Sequence, residues 1–231
     1  MNEDKAALQT FDGEVRLFPL PNLVFFPHTL QPLHIFEPRY RQLTADALCG
    51  DRLIALVLLQ AGSEKAVSHD PPIHPVACVG RIIADQLMSD GRSNLLLRGL
   101  SRVRIIEEIP SDKLYRSARA ELIHDRGDAP VELLMDLRKQ LEARILPRFS
   151  HGPIAKQLHE LFHSELPLGA LCDVLAFALP IPIEWKQKML EEPSEDVRAN
   201  MLIEGFELVA PPNISIVGNP NRKFPPDFSS N

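Results

Sequence analysis

Two periodicities divide the chain. Up to about residue 125 the apolar positions alternate with polar ones or run in short blocks, the spacing of strands; beyond it they recur every three to four residues, the spacing of helices. Strands are expected near 14–18, 23–26 and 30–35, each stopped by a proline. Five prolines, Pro19, Pro21, Pro27, Pro32 and Pro38, fall within Val15 to Leu43. Proline fixes φ and cannot donate to a ladder, so strands broken this often suit a small bent barrel better than an open flat sheet. From Pro38 the pattern turns helical, with Tyr40, Leu43, Ala47 and Leu48 on one face and Gly50 at the C′ position of a helix over 38–49.

The run 53–59 is apolar throughout and predicts a buried strand, and 60–75, with Gly62 and Pro71, Pro72 and Pro75, predicts a loop. Two further strands, 77–87 and 92–99, flank Asp90-Gly91, a dipeptide suited to a type I′ hairpin turn. A second turn is expected at Gly99-Leu100, leading into Arg102 to Ile105, where Val103 and Ile105 alternate with arginines. Tyr115 to Ile123 completes the strand-rich half.

Beyond Asp128, Val131, Leu134, Leu137 or Arg138, Leu141 and Ile145 mark an amphipathic helix that Pro147 ends. Ile154, Leu158, Leu161 and Phe162 mark a second, ended at Pro167. The stretch 168–179 reads as a central helix with Asp173 its one charge, and 183–192 as a short fourth. Ser194, Glu195 and Asp196 open a fifth helix to about Val209, with a capping residue and two acids where a helix dipole favours them. The expected organisation is a flexible N-terminus over 1–13, a β-barrel domain over 14–125, a helical bundle over 126–209 and a disordered tail over 210–231.

The chain has 231 residues, 45% of them hydrophobic, enough to bury a core in one large or two small domains. A net charge of −6 argues against a surface that wraps nucleic acid. Nothing resembles a secretory signal or a membrane span, and Cys49, Cys78 and Cys172 read as reduced core thiols; both point to a cytoplasmic protein.

Phe18-Pro19-Leu20, Phe26-Pro27, the run Pro32 to Tyr40 (PLHIFEPRY), Asp90-Gly91 and Arg98-Gly99 with Arg102 and Ile105 resemble the N-terminal substrate-binding domain of bacterial ATP-dependent Lon proteases. So do Asp173, Lys186-Gln187, Leu190-Glu191 and Arg198 in the helical half. The resemblance spans about 14–209. It implies an α+β fold, a PUA-like β-barrel followed by a C-terminal α-helical bundle, in which Pro19, Pro27, Pro32, Phe36, Glu37, Arg39, Tyr40, Asp90, Gly91, Gly99 and Arg102 form the structural signature. It also implies recognition of unfolded or tagged polypeptide, or of a partner protein such as a protease, in protein quality control. No cofactor is implied. There is no G-x-x-x-x-G-K-[ST] phosphate loop, and no room after residue 209 for an ATPase or a Ser-Lys peptidase. The expectation is therefore a stand-alone, non-catalytic binding module.

Candidate contacts for an extended apolar segment are Leu23, Val24, Phe25, Phe26, Leu30 and Leu33, with the 60–75 loop, taken up in a groove or by addition to a strand edge. Phe36 is expected in the core, and Arg39 is expected to fix the strand-to-helix corner by pairing with a buried acid or with carbonyls. His159-Glu160-Leu161-Phe162-His163 is a literal H-E-x-x-H, the pattern of a zinc hydrolase. Glu165 and Pro167 depart from that context, a third ligand is only a choice among Glu184, Glu191 and Glu192, and Leu158, Leu161 and Phe162 account for the helix without metal. No metal is therefore expected, with His159 and His163 the alternative. His69, His74 and Cys78 match no established ligand spacing. An RNA-binding alternative rests on Arg81, Arg92, Arg98, Arg102 and Arg104, against which stand the acidic charge and an aromatic content of 6%.

Overall fold

Strand β3 (Leu53–Leu58) is buried at every position, as its unbroken apolar run requires. The computed structural model that places it describes residues 3–62, 71–149 and 153–209. The described residues form a mixed α+β fold, with six strands in one sheet and seven α-helices. Two compact units divide it, one ending at Ile123 and the other beginning at His124.

In the first unit, α1 (Glu3–Gln9) precedes β1 (Glu14–Leu20), β2 (Leu30–Ile35), α2 (Pro38–Cys49), β3, β4 (Val76–Leu87), β5 (Ser93–Ile109) and β6 (Ser117–Ile123). The sheet runs β2-β5-β4-β3-β1-β6, and β5 also pairs with β6. β5 can serve β2, β4 and β6 because it is 17 residues long and carries bulges. β1 and β3 are parallel; every other pairing is antiparallel. Inward side chains of β1, β3 and β4, with Val103, Ala118 and Ala120, form one core cluster, and Ala7, Leu8 and Phe11 pack against it. The N-terminal stretch read as flexible thus contains α1. Asp4 on that helix reaches Arg98 at 2.9 Å and Arg81 at 3.5 Å, ties that nearby sequence could not reveal.

Three local expectations change. Residues 23–26 form no strand; confined between Pro21 and Pro27, they send Val24, Phe25 and Phe26 into the core as a loop. Gly99 is no turn. β5 runs straight through it, and the register slips from Val79–Ser101 to Gly80–Gly99, leaving Leu100 as a bulge. A Cβ on Gly99 would sit 2.0 Å from the Phe26 carbonyl oxygen, so the glycine allows backbone to cross backbone. The β4–β5 connection is not a type I′ turn. Gly91 N–H donates to Met88 O and Met88 N–H to Arg92 O, so the loop is Ser89-Asp90-Gly91, and only Gly91 needs positive φ (+81°). The arginine of Arg41 fills the space where a Gly91 side chain would stand.

The second unit comprises α3 (Val131–Ile145), α4 (Pro153–Phe162), α5 (Leu168–Ala178), α6 (Ile183–Glu191) and α7 (Glu195–Glu207). Leu137, Leu141 and Ile145 are the buried stripe of α3. Arg138 leaves that stripe and donates to the carbonyls of Phe162, Ser164 and Leu166 at 2.9, 2.6 and 2.7 Å, satisfying the open C-terminus of α4. Ser194 occupies the N-cap of α7, but its hydroxyl donates to Asp196 instead of accepting a backbone N–H. Arg198 is fully buried, bidentate to Asp125 at 2.6 and 3.1 Å and 3.6 Å from buried Asp173. Cys78 and Cys172 are buried as expected; Cys49, at the solvent end of α2, is exposed. The 210–231 tail and the middle of the 60–75 loop, including His69, lie outside the described residues.

Candidate functional site: the outer face and free edge of β2

Among the described residues β2 pairs with β5 alone and ends the sheet, so one of its backbone edges has no strand partner among them. Pro32, in mid-strand, can sit there because no ladder N–H is demanded of it on the open side. Alternation sends Leu33 and Ile35 into the core and leaves Leu30, Pro32 and His34 on the opposite face. Their β5 partners on that face are Arg98, Leu96 and Asn94. Phe36 follows at the end of the strand, its ring 6.1 Å from that of His34.

Leu30, Pro32, Leu96 and Phe36 thus make an apolar strip beside an open edge, and Leu30 and Phe36 are each 48% exposed. Polar groups on this face are internally engaged. His34 Nδ1 and Asn94 Oδ1 lie 2.7 Å apart, and Arg98 donates to Asp4. The strip can therefore hold an extended apolar chain by side-chain burial and backbone bonds, and it contains no nucleophile–base pair. Leu96 and Arg98 were not among the sequence candidates. The alternation in Leu95-Leu96-Leu97 carried the signal for Leu96: with its neighbours buried, the middle leucine must face outward.

Of the six predicted contact residues, Val24, Phe25, Phe26 and Leu33 are buried and line the core. Phe25 lies against Gly80, where a Cβ would come within 2.7 Å of the ring. Leu23 is half-buried, and Leu30 is exposed. The phenylalanine-rich run signals a loop folded inward and not a ligand surface.

The corner between β2 and α2 is also built differently from expectation. Phe36 is outside the core, because β2 alternation places it with Leu30 and not with Ile35. Arg39 pairs with Glu37 at 2.8 Å on the surface and lies over the Tyr40 ring at 4.5 Å, with no buried acid involved. Tyr40 is the buried member: it stacks on Phe18 and donates to the Pro19 carbonyl at 3.3 Å. Burial pushes its hydroxyl pKa up to about 12. Asp90 and Gly91 lie in the β4–β5 loop, Gly99 lies within β5 where it crosses Phe26, and Pro27 follows the inward-folded loop.

The arginines of the RNA alternative do not form a free patch. Arg102 is buried, Arg81 and Arg98 converge on Asp4, and Arg92 pairs with Asp90 at 2.6 Å. His159 on α4 and His163, just past its end, have rings stacked with centroids 4.2 Å apart, and Glu160 faces Lys156 at 3.8 Å. Among the described residues no three His, Cys, Asp or Glu side chains are grouped to hold a metal. No helix among them is long and apolar enough to cross a membrane.

Comparison with known proteins adds a lineage to this geometry. The sequence model of the ATP-dependent protease La (LON) substrate-binding domain matches residues 14–205. The chain is 29% identical over 194 residues to a Lon protease of Anaeromyxobacter dehalogenans, covering 81% of this chain and 22% of that protein. It is 28% identical over 194 residues to Lon protease 2 of Myxococcus xanthus, covering 81% and 23%. The chain therefore spans less than a quarter of these relatives. Among solved structures, the Lon N-terminal domain protein from Xanthomonas campestris superposes with a TM-score of 0.60 at 23% identity, over 83% of this chain and 97% of that one. The N-terminal domain of Mycobacterium avium complex Lon protease gives 0.64 at 15% identity, over 84% and 98%.

Proposed function

The chain belongs to the ATP-dependent protease La (LON) substrate-binding domain family, and from that membership we propose that it is a non-catalytic module that captures extended polypeptide at the free edge of β2. The single observation that carries this reading is the edge itself: a strand with one partner among the described residues, flanked by exposed Leu30 and Phe36. An incoming segment adds as a strand, its backbone supplying affinity and its alternate apolar side chains covering Leu30, Pro32, Leu96 and Phe36. Unfolded chains present such segments and folded ones do not, which suits a role in protein quality control in the cytoplasm. The ring of pairings β5-β4-β3-β1-β6-β5 supports reading the first unit as a PUA-like barrel. The ATPase and peptidase work of whole Lon proteases is not assigned to this chain.

The test is binding of a fluorescently labelled, permanently unfolded client, such as a reduced and carboxymethylated protein, with its native form as control. The unfolded form alone is expected to bind. Failure to bind it, or equal binding of both forms, overturns the proposal.

A further inference from the structure

The open edge of β2 is closed in its middle by the chain's own groups. Proline has no N–H to give, so Pro32 and Leu96 form a non-hydrogen-bonded pair, and Gln31 and Leu33 make the ladder bonds to β5. Bonding direction alternates along a strand, which turns the N–H and carbonyl of Leu30 and the carbonyl of Pro32 to the open side. Pro32 has no donor to offer there. Its carbonyl is engaged as well: half-buried Gln31, paired across the sheet with fully buried Leu97, donates from its side-chain Nε2 to Pro32 O at 2.7 Å. A strand added antiparallel therefore meets two unlike positions. Its residue facing Leu30 exchanges two backbone bonds with that leucine. Its residue facing Pro32 presents an N–H to a carbonyl that Gln31 already holds, and has to displace the Gln31 amide or leave its own donor unmet.

We propose that the β2 edge selects extended apolar segments carrying a proline that faces Pro32, and that Gln31 is the residue that sets this preference. It rests on strand capture at β2 and names the class of segment captured. A proline facing Pro32 has no N–H to leave unmet, so the Gln31–Pro32 bond survives its arrival. Its carbonyl meets no donor on Pro32, but that holds for any residue in the position and water at the sheet edge serves it, so the carbonyl does not discriminate. Directly opposed residues share a face, so the incoming ring settles beside the Pro32 ring on the apolar strip. Proline also holds the residue before it in extended conformation, which lowers the cost of ordering the segment.

The test measures binding of two short fluorescent peptides to the full chain, alike in having leucine two residues to either side of the centre and differing only in a central proline or alanine. The wild type is expected to bind the proline peptide about fivefold more tightly or better, the effect of one unmet amide donor. Gln31→Val frees the Pro32 carbonyl, so this variant should bind both peptides alike or prefer alanine. In the proline peptide, the leucine two residues after the proline faces Leu30, and its N-methylation should weaken binding to the wild type about fivefold or more. N-methylation of the residue between them, whose N–H points to solvent, should change binding less than about twofold. Equal affinity of the two peptides for the wild type, a proline preference that folded Q31V keeps, or equal losses at the two N-methylated positions overturns the selection; capture at β2 then stands if an unfolded client still binds. Failure of both peptides and of the unfolded client overturns capture and selection together.

Discussion

The Tyr40 ring lies on Phe18 with centroids 3.9 Å apart and planes 17° apart, joining the first turn of α2 to β1. Phe36, four residues earlier in the same signature run, points to solvent. Tyr40→Ala should therefore lower stability by about 3–5 kcal/mol, the range for a buried aromatic, and Phe36→Ala by less than about 1 kcal/mol. Urea denaturation of both variants tests the pair. Equal losses would place Phe36 in the core after all.

The strip beside β2 makes a prediction about binding without folding. Replacing both Leu30 and Phe36 by lysine puts charge where an apolar chain has to settle, while removing little buried surface. Affinity for an unfolded client should fall about tenfold or more with the melting temperature nearly unchanged. Undiminished affinity in a folded double variant would move the site elsewhere.

Two glycines separate close approach from turn geometry. At Gly99 an added methyl meets the Phe26 backbone, which cannot yield, so Gly99→Ala should cost about 3 kcal/mol or more. At Gly91 the obstacle is the mobile end of Arg41, and the cost is mainly that of positive φ, about 1 kcal/mol. Thermal melts of the two single variants should rank them in that order. The reverse ranking would show that the β5–loop crossing is looser than its geometry.

Arg198 and Asp173 are both fully buried in the second unit. Arg198→Ala leaves the Asp173 carboxylate without its cation and should cost about 3–5 kcal/mol; replacing both by apolar residues of similar volume should cost much less. A double-mutant cycle by calorimetry measures the coupling. Strictly additive losses would mean that the pair does not interact.

Lys186 and Tyr40 give alkaline stability a defined shape. The Lys186 pKa is about 8 in the folded chain against an ordinary 10.5, so between these values the unfolded chain holds a proton that the native chain has released. Stability from this group rises with pH across that window, by about 1–2 kcal/mol after allowance for its residual hydration. Tyr40 acts oppositely: its folded pKa is about 12 against 10.0, so its contribution is lost from about pH 10 upward. Wild type minus K186M, measured by urea unfolding from pH 7 to 10, isolates the lysine. The difference should move in favour of the wild type as pH rises, and a flat difference would refute the assigned burial.

The sequence by itself determined what short-range physics controls. The unbroken apolar run of β3, the proline-started helix α2, the 3.6-residue stripe of α3 and the switch between the two halves all follow from periodicity and from Gly and Pro placement. The family could be read because PLHIFEPRY is a local string. Only the tertiary structure decided which of its apolar residues face outward. Phe25 and Phe26 look like ligand contacts in sequence and are core because their loop folds inward between Pro21 and Pro27. Phe36 looks like core and is surface because the β2 register gives Ile35 the inward position. Arg102, a candidate for an RNA-binding patch in sequence, is buried, and Arg198 is buried because Asp125 and Asp173, far away along the chain, meet it there. The free edge of β2 is likewise a property of strand order, which depends on pairings between distant segments.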